Sequence, residues 1–140
     1  MPQANATYSV KSWDRRPWHS ALAEDTKLYR LEILHTYTGD IEGEGTLQYL
    51  LSQRGRREVN FIALEWVDGS VCGRSGSFVL QRIGTFDNGR IVETVIVVHG
   101  SGTGDLSSLS GQATIEHTQH LESYPITLDY ELLSSNEFDT

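Results

Sequence analysis

One cysteine, Cys72, stands in the whole chain, so no intrachain disulfide can form. Long apolar runs are missing too: no stretch approaches the roughly 20 residues of a membrane-spanning helix. No basic segment followed by an apolar one opens the sequence, so no secretory signal is read and a cytoplasmic protein is expected. The glycosylation sequon Asn5-Ala6-Thr7 is then idle. Positive charge is scarce: 11 Lys and Arg face 19 Asp and Glu, a formal net charge of −8. That sign argues against nucleic acid and against anionic membrane surfaces, both of which call for basic patches. The densest basic run, Arg54, Arg56 and Arg57, reads as a solvated hairpin tip. Proline is rare, three residues against thirteen glycines, a balance that suits a β protein with many turns and bulges.

The chain has 140 residues, the size of one domain, and can bury a core without disulfides or metals. One domain over residues 1–140 is expected, with its core at 5–133 and a frayed polar tail at 134–140. Period-2 alternation dominates. It predicts strands from Thr7 through Trp13, Lys27 to Thr38, Glu44 to Gln53, and Glu58 to Val67. Further strands are predicted at Val71 to Phe86, Arg90 to His99, Gln112 to Glu116 and Tyr124 to Leu133. The second could instead be a helix, since Leu28, Leu31 and Leu34 fit a 3.6 period, but Ile33, Thr36, Tyr37 and Thr38 favour a strand. Residues 20–25 form a polar connection with room for one helical turn. Turns are expected at Gly39–Gly43, at Arg54–Arg56, at Asp68-Gly69 (the strongest hairpin signal) and at Asp87-Asn88-Gly89. The near-continuous apolar run from Ile91 to Val98 predicts a strand covered on both faces or one side of a subunit contact. Short turns and no crossover give an all-β fold: a closed, antiparallel, up-and-down barrel of about eight strands, lipocalin-like in outline.

Familiar chemical motifs fail on inspection. Gly100 to Gly104 lacks the third glycine of a dinucleotide loop and the Lys-Ser/Thr pair of a Walker loop. Gly73-Arg74-Ser75-Gly76-Ser77 resembles a nucleophile elbow but lacks its last glycine and a following helix. His117 and His120 are spaced i, i+3 without a third zinc ligand, and read as a surface loop. Neither a metal nor a cofactor is expected.

The carboxylates are more informative. Glu65 sits in Phe61-Ile62-Ala63-Leu64-Glu65-Trp66-Val67, on the face of Phe61, Ala63 and Val67. A carboxylate among apolar neighbours points into a cavity or pairs with a cation. In a cavity, desolvation would raise its pKa and fit it for proton transfer near neutrality, making Glu65 the candidate catalytic residue. Candidate ligand-binding residues are Glu44, Gln81, Arg30 and the tyrosines Tyr37, Tyr49 and Tyr130. The bland alternative is a core polar network in which Arg30, Arg74 or Arg82 neutralises Glu65 and Glu44.

Four segments then carry a resemblance: Tyr37-Thr38-Gly39-Asp40-Ile41-Glu42-Gly43-Glu44-Gly45, Gly73-Arg74-Ser75-Gly76-Ser77-Phe78-Val79-Leu80-Gln81, Gly100-Ser101-Gly102-Thr103-Gly104-Asp105-Leu106 and Tyr124-Pro125-Ile126-Thr127-Leu128-Asp129-Tyr130. Together they resemble an uncharacterised bacterial family, domain of unknown function 3224, with an allene-oxide-cyclase-like barrel. The likeness spans roughly residues 5 to 133. It implies a barrel class that includes plant allene oxide cyclases, dirigent proteins and some bacterial polyketide cyclases. Those proteins hold a flexible apolar substrate in a shaped cavity and often form oligomers. No catalytic residue of the plant enzyme can be aligned onto this chain.

Three functions follow as expectations. The first is a barrel that binds a small apolar or amphipathic molecule, oriented by Glu65, Glu44, Gln81 and tyrosine hydroxyls. The second is a cofactor-free isomerase or cyclase in the same cavity, with Glu65 as acid or base. The third is a non-catalytic structural or assembly protein with a solid interior. A homo-oligomer is expected in each.

Overall fold

The computed structural model describes residues 2–19 and 25–133. The connection expected over 20–25 lies, apart from Asp25, outside the described residues, as does the tail at 134–140. Eight strands follow one another: β1 (Gln3–His19), β2 (Thr26–Gly39), β3 (Ile41–Arg54), β4 (Glu58–Val71), β5 (Arg74–Asp87), β6 (Arg90–Val97), β7 (Ser110–His117) and β8 (Tyr124–Glu131). Each pairs antiparallel with the next, and β8 closes onto β1 through Gln3↔Asp129 to Tyr8↔Tyr124. The up-and-down closed barrel is therefore as the alternation predicts, and every strand has a partner on both sides along part of its length. The disputed second segment is a strand.

Alternation sorts each strand onto two walls. In β4, Phe61, Ala63, Glu65 and Val67 are buried inside while Ile62, Leu64, Trp66 and Asp68 are exposed outside. The segment looks uniformly apolar because both of its faces are.

Two turns differ from expectation. Asp68-Gly69 is no hairpin: the pair lies within the ladder, opposite Ser77 and Gly76. The reversal comes at Cys72 and Gly73, with φ of 49° and 85°, the positive pair that a tight hairpin turn requires. Gly69 instead serves close approach, since a β-carbon there would sit 2.8 Å from the Cα of Gly43 on β3. The turn expected over Gly39–Gly43 is tighter as well. Pairing resumes at Ile41, which leaves Asp40 alone between β2 and β3.

The interior is layered. At the end bearing the β2–β3 and β4–β5 turns it is packed with Ile41, Val71, Phe78, Leu80, Ile126 and Leu128. Leu106, from the 3-10 turn Gly104–Leu106, and Leu109 join that cluster. The loop before them is tied to β5 by Thr103 N donating to Ser77 O (2.8 Å) and Ser77 N donating to Thr103 Oγ1 (2.9 Å). Each such core side chain contributes about 1.5–3 kcal/mol by leaving water. β1 to β5 have 14 or more residues and β6 to β8 only 8; at the opposite, taller end β1 runs on to His19, well past Tyr8, where its pairing with β8 stops.

Candidate functional site

Between the packed end and the tall end a belt of polar groups crosses the barrel. Arg82 of β5 is fully buried at its centre. Its Nε donates to Glu65 Oε1 (2.8 Å), its Nη1 to Glu93 Oε1 (2.8 Å) and its Nη2 to the Tyr37 hydroxyl (2.8 Å). The Tyr37 hydroxyl in turn donates to the Glu65 carboxylate, 2.7 Å from Oε2. His35 Nδ1 lies 3.1 Å from the same Oε2. Tyr8 stacks beside the belt, with its ring 5.2 Å from the Arg82 guanidinium and 4.7 Å from the His35 ring.

The backbone makes room for this belt at Gly45. A β-carbon there would overlap the Glu65 carboxylate and lie 3.1 Å from Cε2 of Tyr37. A glycine facing the interior of a strand is the sequence signal of such a space.

Burial alone would raise the pKa of Glu65. The Arg82 guanidinium, then His35 and Tyr37, outweigh it and lower the carboxyl to about 2. Burial disfavours the Arg82 cation, yet the Glu65 carboxylate holds its pKa well above the ordinary value. The pair is ionised. Burial pushes Tyr8 up to about 12 and raises Tyr37 and Tyr49 as well, so the phenols stay protonated. Of the two readings of Glu65, the core network with Arg82 is the one found, without Glu44; the raised pKa of an unpaired carboxyl in a cavity does not arise, and Glu65 is held as a carboxylate that is no proton donor near neutrality.

Above the belt the interior is empty. A cup of about 310 Å³ opens at the tall end. Val10, Leu31, Ile33, Leu51, Val59, Phe86 and Ile91 form apolar walls; His35, Glu93, Tyr8 and Tyr49 supply the polar groups. Phe61 packs edge-on against Tyr49 at 5.4 Å, and His117 stacks on Tyr124 at 4.4 Å near the rim.

Of the residues chosen from sequence, Glu65 and Tyr37 lie in the belt and Tyr49 lines the cup. Tyr130 packs against the core cluster at the far side of the belt, outside the cup. Three expected interior positions are corrected. Glu44 is on the outer wall, paired with Lys11 Nζ at 3.2 Å, and Arg30 and Gln81 are also outside. Strand parity decides this: Arg30 and Gln81 sit one residue out of phase with the inward-facing Leu31 and Arg82. Glu93, overlooked within the apolar reading of β6, carries the signature that picked out Glu65. It is a lone carboxylate in phase with buried Val95 and Val97. Among the described residues no group of three or more His, Cys, Asp or Glu is placed to hold a metal.

A larger depression, about 500 Å³, lies on the outer wall over Leu50, Ile62, Leu64 and Ile83, with Arg30, Gln48 and Gln81 beside it. No converging set of buried polar groups lines it.

These features define a small closed antiparallel barrel with a charged belt and one open, apolar-walled cup. Residues 4–130 match the family described as "Protein of unknown function (DUF3224)", and the chain belongs to that family. The crystal structure of a protein of unknown function from DUF3224, from Shewanella oneidensis MR-1, is similar over 96% of this chain and 99% of that one. Its TM-score is 0.77 at 23% identity, a likeness of fold. No curated protein matches the chain. No helix among the described residues is long and apolar enough to cross a membrane.

Proposed function

We propose that the barrel binds a small apolar or amphipathic molecule in the cup. The observation that carries this reading is a cavity of about 310 Å³ whose walls are mostly apolar and whose floor presents His35 and Glu93 of the belt. Glu65 then acts from beneath, holding Arg82 and Tyr37 in place, while His35 and Glu93 meet the ligand. The cofactor-free isomerase or cyclase alternative would have to use His35 and Glu93 as its acid and base, because Glu65 is locked as a carboxylate. The allene-oxide-cyclase-like likeness supports a shaped cavity and goes no further, since fold alone does not carry an activity.

Nile red, which brightens in apolar surroundings, tests the cup. The wild-type chain is expected to bind it, and Val59→Trp, which fills the cup from its wall, to abolish the signal at an unchanged melting temperature. Equal binding by both proteins overturns the reading.

Self-association is proposed through the outer wall of β3 to β6. Leu50, Ile62, Leu64, Trp66, Ile83 and Ile96 adjoin one another there, each 36–57% exposed. Together they present apolar area on the order of 500 Å², enough for the centre of an interface that covers about 800 Å² per partner. The flank carries both signs, Arg16 and Arg30 with Asp14 and Glu32. A rim of that kind complements a second copy of itself across a two-fold axis. An exposed free thiol at Cys72 fits a reducing, cytoplasmic setting.

A further inference from the structure

Granting that the cup takes a ligand, we propose that the ligand carries a protonated amine at the end that reaches the floor, with an apolar body against the walls.

The charges at the floor are unequal. Two buried carboxylates, Glu65 and Glu93, face one guanidinium, Arg82. Arg82 is thus shared between two carboxylates. One of them, Glu93, has an open oxygen. Arg82 engages Oε1 of Glu93, and among the described residues no hydrogen bond ends on Oε2. No buried side-chain polar atom there lacks a partner, so Oε2 of this cup-lining residue borders the cavity rather than protein.

The guanidinium at the same depth is already committed. All three Arg82 nitrogens are engaged, by Glu65, Glu93 and Tyr37. A ligand carboxylate or phosphate would meet the Glu93 carboxylate with no free guanidinium to receive it. An ammonium meets the reverse. It can donate to Glu93 Oε2 and to His35 Nε2, which is an acceptor when Nδ1 carries the proton toward Glu65. Tyr8, Tyr49, Phe61 and Tyr124 add aromatic rings around the cup, and ring faces attract cations. The aliphatic wall above them accepts a chain but offers a charged head nothing.

Calorimetric titration of the wild-type protein at neutral pH with octylamine, octan-1-ol and octanoate separates the possibilities, because the three share one tail. Octylamine is expected to bind about tenfold tighter than octan-1-ol, the worth of one charge-assisted hydrogen bond, and octanoate most weakly. Glu93→Gln, which keeps an oxygen for Arg82, is expected to erase the amine preference, so that octylamine binds no tighter than octan-1-ol. Octan-1-ol binding by the variant also reports that its cup is intact. If octan-1-ol binds wild type and octylamine binds no tighter, the amine assignment is overturned while the cup reading stands. If octanoate binds tightest, the assignment is likewise overturned. If none of the three binds, the cup reading itself falls and the assignment with it.

Discussion

Gly45 and Glu65 occupy one space: the carboxylate of the β4 residue fills the volume that a side chain on the β3 residue would need. The missing β-carbon is what lets Glu65 reach Arg82, Tyr37 and His35 together. Gly45→Ala therefore has to displace a charged, triply bonded group or shift Tyr37. A loss of about 2–3 kcal/mol is expected, the cost of overpacking a tight interior. In a Glu65→Ala background the carboxylate is gone and only the 3.1 Å approach to Tyr37 remains, so the cost of the added methyl should fall well below that in wild type. Urea unfolding of the four proteins measures the coupling. Additive costs would show that Glu65 and Gly45 are independent.

The belt makes acid stability a property of one carboxyl. Glu65 has a pKa of about 2 in the folded chain against an ordinary 4.5. A depressed folded-state value favours the native state above the unfolded pKa. That contribution is complete above about pH 4.5 and is lost as pH falls from there toward 2. Glu65→Gln removes it at every pH and leaves Arg82 short of a counter-charge, so a cost of about 3 kcal/mol is expected at neutral pH. Wild type and variant should converge between pH 4.5 and 2, since every other titrating group is common to both. Stability curves that run parallel across that range would exclude Glu65 as the source.

How much of this was legible follows from where the signals are local. Alternation in Lys27 to Thr38 places Tyr29, Leu31, Ile33, His35 and Tyr37 on one face, and the barrel keeps them there. Asn88-Gly89 announces its hairpin, and the structure puts positive φ at both residues. Cys72-Gly73 does the same work without announcing it, because cysteine is no usual turn residue, and Asp68-Gly69 misleads because its glycine serves strand packing. Glu65 stood out as a lone carboxylate among apolar residues. Its partner could not be read: whether Arg30 or Arg82 meets it depends on which parity of two different strands faces inward. Glu93 was masked by Ile91, Val92 and Val95 around it. The barrel alone leads one to expect an apolar cavity; that the cavity opens at one end above a charged belt depends on how far each strand runs past its neighbours, which alternation does not encode.

The outer wall of β3 to β6 gives the last prediction. Rows across the ladders place Leu50 beside Ile62 and Ile62 beside Ile83, with Leu64 and Ile96 flanking Gln81 in the next row. Parity sends these residues outward while the same strands bury Leu47, Ala63, Leu80 and Val95, so the barrel core gains nothing from their apolar character. A monomer would leave that wall in water at roughly 25 cal/mol per Å². Light scattering behind size exclusion is expected to show a dimer at tens of micromolar for wild type. Ile62→Lys puts a charge at the centre of the patch and, with its side chain already half exposed, leaves the interior untouched. It should yield a monomer with an unchanged melting curve at low concentration. A wild-type monomer at that concentration, or a dimer that tolerates the lysine, would place the contact elsewhere or remove it.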